Sequence, residues 1–472
     1  MPIPWLRLFR TTPRAGGLAL LTALAALGAS CAKDPVRPRH VVIVSIDTLR
    51  RDHVTAYGYP RDTTPALQRL ADTGVTFENA YAANTNTAPS HASMLTGLYP
   101  ARHGVVRNGG YWLRVDVRTL GEILGSAWAR AGFVSGFPLR RNMTDLYRGF
   151  EHFDDHLGED WRRDAAATFA AAERWLRERK DDRPLFLFFH LYDAHQPYTA
   201  PEPFHSRFLP EGQRSFRFSQ EQAIKRFYAG EANAAEFDEY ERRYDAAIAY
   251  ADHHVGRLFA LLEELGLWDE ALVVVLADHG ETLDERSGPY FDHGARVYDP
   301  EIRIPLLLRL PGSRGGQRVA AMVHHVDLAP TILDLLGLDA PTVDGDSLRP
   351  LVVGAPWPHD GQPVFSSADA ESWQMPELGG ELDYNGLVVS LRTPDWKLIS
   401  YPGVKGEILQ LFHVARDPAE GKDLASTEPQ RREQLRRELH AWEEATGFGG
   451  TGPRPSLSPS EEEGLRALGY LR

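Results

Sequence analysis

Four short apolar runs recur along the chain without alternating polarity: Val41–Val44, Leu185–Phe189, Leu272–Leu276 and Ile304–Leu308. Each is rich in β-branched, aromatic or other large apolar residues, the pattern of strands buried on both faces of a parallel sheet. Helix-like stretches fall around them, at Thr64–Ala71, Thr119–Ala131, Arg163–Arg179, Glu236–Leu265 and Asp327–Leu336. Strands alternating with helices predict an α/β fold: a mostly parallel sheet flanked by helices.

Near Pro356–Gln362 the texture turns to Pro and Gly. Shorter extended pieces follow (Leu387–Leu391, Trp396–Ile399), then a charged helix from Pro429 to Glu444. The expected division is a catalytic domain over 40–355, a smaller C-terminal α+β subdomain over 356–446 and a tail over 447–472. Within the tail, the stretch with Glu461–Glu463 and Leu465–Leu471 reads as a short helix reaching back onto the body or toward a partner. A chain of 472 residues accommodates this plan, one large domain with an appendage.

The net charge of −13 argues against a nucleic-acid partner, which calls for a basic stripe. The single cysteine, Cys31, excludes intrachain disulfides and a Cys-based zinc cluster. Arg7, Arg10 and Arg14 precede the apolar stretch Ala15–Ser30, the order of an export signal over 1–31. Small residues (Gly28, Ala29, Ser30) stand just before Cys31, as in a bacterial lipoprotein signal, although Leu27 sits one place earlier than usual. The expectation is an exported protein, periplasmic or held at the envelope membrane through a lipidated Cys31.

In open α/β sheets, ligands bind beyond the carboxyl ends of the strands. One predicted strand runs into Asp47, a second into His190, Asp193 and His195, and a third into Asp278 and His279. Taken singly, each acid is more often a helix cap or turn residue than a ligand. If the strands are parallel, these ends share one edge, where two carboxylates and an imidazole make a metal site. Thr87 precedes Pro89 and a helical pattern over Ser90–Leu98, which puts its hydroxyl near a helix N-terminus, a place that favours anions. Beside a metal, that hydroxyl gains the lowered pKa a nucleophile needs.

At these residues the chain resembles the sulfatase family of the alkaline-phosphatase-like superfamily. The similarity runs through Ile46–Asp52, Thr87–His91 with Leu95–Pro100 and His103–Gly104, Tyr192–Tyr198, and Asp278–Glu281. It continues through His293–Gly294 with Tyr298, Arg303–Pro305, Val326–Thr331, Asp344–Leu348, and Arg416–Pro418 with Asp423–Leu424. The resemblance implies an alkaline-phosphatase-like fold. It implies a divalent metal held by Asp47, Thr87, Asp278 and His279, and catalytic roles for Thr87, His195 and His293. Ser90, His91 and His103 are read as substrate-binding. The metal implied by the family is Ca²⁺, while the nitrogen donor of His279 suits Mn²⁺ or Zn²⁺; Asp193, His195 and His293 are a candidate set for a second metal.

Two departures bear on chemistry. The family's active sulfatases carry a cysteine or serine, converted to formylglycine, with arginine four residues on; here these are Thr87 and His91. A secondary alcohol cannot give that aldehyde, so no formylglycine is expected. The family's Lys-Trp-His segment corresponds to Val134–Leu139, which lacks both cations. A threonine nucleophile must be freed by direct hydrolysis, which favours phosphate or phosphonate esters over sulfate esters. The expected activity is metal-dependent hydrolysis of an anionic ester. The alternatives are a catalytically impaired sulfatase-like binding protein and a phosphoryl-headgroup transferase.

Overall fold

The computed structural model describes residues 36–158, 161–213, 215–283, 291–369, 382–383, 386–448 and 457–467. The main sheet contains nine strands: β1 (His40–Ile46), β2 (Val75–Tyr81), β3 (Ala129–Phe133), β4 (His152–Asp154), β5 (Leu185–Leu191), β6 (Ala271–Leu276), β7 (Arg303–Ile304), β8 (Leu306–Arg309) and β9 (Gln317–His324). Their order is β4-β3-β5-β1-β6-β8-β2-β7, with β9 also paired to β2. Every residue of β1, β5 and β6 is buried, which explains their unbroken apolar sequences. Pairing among β4, β3, β5, β1 and β6 is parallel.

The pattern misled in two places. The run Ile304–Leu308 is split at Pro305 into β7 and β8, and β8 pairs antiparallel with β6 and β2. Proline has no N–H for a ladder, so the break falls there. The helix expected over Thr119–Ala131 covers only Leu120–Leu124; Gly125, at φ +65°, ends it, and Ala129–Phe133 turns into strand β3.

The longest helix, Ala234–Glu264, starts at an Asn233 cap with Glu236 reaching back, and packs against the helices Pro65–Thr73 and Ala165–Glu178. It also reaches the sheet edge: Tyr244 Oη donates to Thr48 O at 2.6 Å and accepts from Arg50 N at 2.9 Å.

A second, antiparallel sheet follows in the order β10 (Val364–Asp369), β11 (Leu387–Arg392), β12 (Lys397–Tyr401) and β13 (Ile408–Phe412). The helix Pro429–Thr446 lies over it, with Trp442 stacked on Phe365 at 4.5 Å. Strand β10 also grips the main body. Ser367 N donates to Ala83 O (3.0 Å), Thr85 N donates to Ser367 O (3.1 Å), and Asn84 Nδ2 donates to Ser367 Oγ (2.7 Å). The small sheet therefore holds the loop that leads into Thr87.

The tail forms a helix over Pro459–Ala467, docked by Leu465 against Phe137 and Met143. The expected signal over 1–31, with Cys31, lies outside the described residues. Among the described residues, no helix is long and apolar enough to cross a membrane.

Candidate active site

Because β1 and β6 are parallel neighbours, with Ser45 opposite Leu276, the turns after them place Asp47 beside Asp278 and His279. These three offer ligand atoms within 4.8 Å of one another, all from buried residues. Each side chain is anchored through one atom and leaves another over. His190 Nε2 meets Asp47 Oδ2 at 3.2 Å; Asp278 Oδ1 accepts from Thr48 N (3.0 Å) and His279 N (2.9 Å). His279 Nδ1 donates to Gly280 O at 2.9 Å, which fixes the tautomer and turns the Nε2 lone pair inward. Asp47 Oδ1, Asp278 Oδ2 and His279 Nε2 are buried without hydrogen-bond partners. Buried polar atoms are nearly always satisfied, so three orphans converging on one point fit a divalent cation.

The local backbone is shaped for this. Thr48 adopts φ 54°, uncommon for a β-branched residue, and its N–H thereby meets Asp278. Gly280 has no room for a side chain: a Cβ there would come within 2.0 Å of Pro300 O.

Electrostatics agree. Burial, then the neighbouring Asp278, pushes the Asp47 carboxyl well above the usual range. Burial also opposes ionisation of Asp278, but the surrounding imidazoles of His279, His91 and His190 hold it below that range. Burial lowers His279 to about 4, leaving the neutral imidazole a metal ligand requires.

Thr87 is the first residue of the helix Thr87–Thr96, with Asn86 as its cap. Its side chain is close enough to Asp47 to favour the ionised carboxylate. Thr87 therefore adjoins the candidate ligand set.

His195 and His293 lie next to this cluster. The His293 ring stands 4.4 Å from His279 and 4.8 Å from His195. His293 Nδ1 meets Glu281 Oε1 at 3.1 Å, and Tyr198 Oη donates to Glu281 Oε2 at 3.0 Å. His195 Nδ1 donates to Gln196 O at 2.6 Å. Burial pushes both imidazoles below their ordinary value, so both are neutral at pH 7.

Several expected roles are not supported by placement. Ser90 Oγ donates to Asn84 O at 2.5 Å. His91 lies beneath Thr87, with Nδ1 on Thr87 O (2.7 Å) and Nε2 on Ser45 Oγ (2.8 Å). His103 pairs with Ser93 Oγ and the Val105 N–H. All three are fully buried with their polar atoms engaged by protein, so they shape the helix instead of facing a substrate. Asp193 does not join His195 and His293 as a ligand set; its Oδ1 accepts from Ala165 N at 3.0 Å, at the start of the helix Ala165–Glu178.

Sequence reasoning gave no site role to three residues. His190 braces Asp47, and Glu281 braces His293. Asn108 accepts from Ala88 N through Oδ1 (2.8 Å), one residue after Thr87, and its buried Nδ2 has no partner. Nothing in their spacing announces these contacts, because the partners are 143, 12 and 20 residues away.

Two other acidic groupings carry their own cations. Asp245, near His53 and Glu241, is paired with Arg61 at 2.5 Å, and Glu407, near His440 and Glu443, with Arg436 at 2.6 Å.

Comparison with known proteins places this arrangement. The sequence model of the sulfatase family matches residues 39–338, and that of the N-sulphoglucosamine sulphohydrolase C-terminal region matches 288–445. The chain is 23% identical to an N-acetylglucosamine-6-O-sulfatase of Bacteroides thetaiotaomicron, over 85% of this chain and 86% of that one. It is 29% identical to a multifunctional alkaline phosphatase superfamily protein of Trinickia caryophylli, over 66% of this chain and 77% of the other. Its fold superposes on a phosphonate monoester hydrolase of Agrobacterium radiobacter with a TM-score of 0.69 at 22% identity, covering 90% and 99% of the two chains.

Proposed function

The chain belongs to the sulfatase family of ester hydrolases, and from that premise we propose that it hydrolyses phosphate or phosphonate esters through Thr87 as a covalent nucleophile. The observation that carries this reading is Thr87 beside Asp47, its side chain favouring the ionised carboxylate of the candidate ligand cluster, where a formylglycine-dependent enzyme needs cysteine or serine. A divalent cation held by Asp47, Asp278 and His279 would neutralise charge on the transferring group and acidify the Thr87 hydroxyl. Carboxylates suit Ca²⁺, the family's metal; the His279 nitrogen favours Mn²⁺ or Zn²⁺.

The chain's own residues account for the rest. Thr87 Oγ1 attacks phosphorus while its proton passes toward the neighbouring Asp47. Asn108 Nδ2 donates to an oxygen of the transferring group, a fixed donor that needs no reorganisation. His293, its ring oriented by Glu281 and with His195 beside it, gives a proton to the departing alkoxide from its imidazolium form and recovers one from the water of the next step. Water then cleaves the phospho-threonine and restores the hydroxyl.

Sulfate-ester hydrolysis is the second reading, supported by the match to an N-acetylglucosamine-6-O-sulfatase along most of both chains. Steady-state assays of the purified protein with Ca²⁺, Mn²⁺ or Zn²⁺ on aryl sulfate, phosphate, phosphodiester and phosphonate esters separate the two. Thr87→Ala is expected to lower kcat on the best ester by at least about a thousandfold, with the fold intact. Turnover of sulfate esters alone would reject the phosphorus assignment, and an active Thr87→Ala variant would reject the nucleophile.

A further inference from the structure

Past His293 and His195, the site opens into a cavity of about 260 Å³, in the range of a fragment-sized group. The two imidazoles lie at the end nearest the metal ligands. Ile224 and Tyr228, from the helix Gln220–Tyr228, and Phe291 supply apolar surface, and Arg466 and Ala467 of the tail helix complete the lining. Arg466 is the only lysine or arginine among the described lining residues. Among the described residues, no carboxylate lies within ion-pair distance of it. The cavity's two acids are engaged close to the histidines: Glu281 by His293 and Tyr198, and Asp292 Oδ1 by the His293 N–H at 2.8 Å.

The tail helix is fitted to the body. Leu465 is fully buried against Phe137 and Met143. Across this contact, a Cβ on Gly464 would lie 2.6 Å from the Phe137 ring, and one on Gly109 would lie 2.5 Å from Leu465 Cδ1. Close approach at two glycines fixes the helix beside the cavity, and Arg466, adjacent to the buried Leu465, is carried to its lining with its side chain exposed.

We propose that this cavity is the leaving-group subsite and that Arg466 selects leaving groups bearing an acidic substituent on a ring or short chain. The inference rests on the ester-hydrolase reading above. It adds a substrate class: esters whose departing alcohol is itself an anion. A guanidinium pairs with a carboxylate through strong, geometrically defined hydrogen bonds, whereas the apolar walls alone would accept neutral and acidic rings without order of preference.

The test compares wild type with Arg466→Gln and Arg466→Lys in the full chain. Calorimetry measures binding of 4-hydroxybenzoate and of phenol, and steady-state kinetics compares an aryl ester with the same ester carrying a ring carboxylate. The expected result is a preference of about tenfold or more for 4-hydroxybenzoate, erased in Arg466→Gln and largely kept in Arg466→Lys. For Arg466→Gln, KM for the carboxylated ester should rise by about the same factor, with kcat and the plain ester unchanged. Equal binding of the two phenols to wild type, or an undiminished preference in Arg466→Gln, would overturn the proposal. The binding arm needs no turnover. If wild type cleaves no ester, the hydrolase reading fails while the calorimetry still decides whether Arg466 recognises an anion.

Discussion

Two buried clusters of ionisable side chains among the described residues are resolved differently. In the seam between the two sheets, Asp299 and Glu420 surround Lys397, at 3.0 and 2.7 Å, and Arg392 Nε approaches Asp299 at 3.5 Å. Two acids meet two bases, all supplied by the chain. At the end of β1 and β6, Asp47 and Asp278 meet imidazoles that burial keeps neutral, as in His279 at about 4. Breaking a buried ion pair costs several kcal/mol because a charge is left unmatched, so the second cluster is poised to take a cation from outside. One cluster ties the small sheet to the body, and the other is built to bind.

Lys397→Met should turn the first cluster into an unbalanced one. An expected loss of about 3 kcal/mol in unfolding free energy, measured in denaturant, follows from stranding the two acids. Activity per folded molecule should be retained, since Lys397 lies outside the catalytic cluster. A loss below about 0.5 kcal/mol would break the comparison, showing that the seam does not depend on its cation.

Asp193 is a milder case, a half-buried acid with no ion pair among the described residues. Burial, only partly offset by the Ala165 N–H, pushes it up to about 7. A folded-state value above the unfolded one contributes stability that is fully present below about pH 4 and lost as pH rises through about 7. Asp193→Asn keeps the acceptor and removes the charge, so it should flatten that part of the pH–stability curve and stabilise the protein by about 1–3 kcal/mol at pH 8. Parallel curves for wild type and variant would show that Asp193 stays ionised in the folded protein.

The ligand set was legible in the sequence because strand ends in an α/β sheet are visible as ends of apolar runs. Asp47, Asp278 and His279 each follow such a run. The roles of Ser90, His91 and His103 were not, for a definite reason: all ten residues of Thr87–Thr96 are buried, so periodicity along the helix cannot separate a substrate face from a packed one. Strand β3, Ala-Arg-Ala-Gly-Phe, escaped because its alanines and arginine read as helix and its strand character comes from pairing with β5. Asn108, Glu281 and Arg466 were visible as letters, but their relation to the site is set by tertiary contacts, in the last case by a tail helix more than 150 residues beyond His293.

Anomalous diffraction from crystals equilibrated with Mn²⁺ tests the central claim most directly. The account predicts one strong peak within about 2–2.5 Å of Asp47 Oδ1, Asp278 Oδ2, His279 Nε2 and the Thr87 hydroxyl, absent in Asp278→Asn. A peak at Glu407 and His440 alone, or none at all, would contradict it.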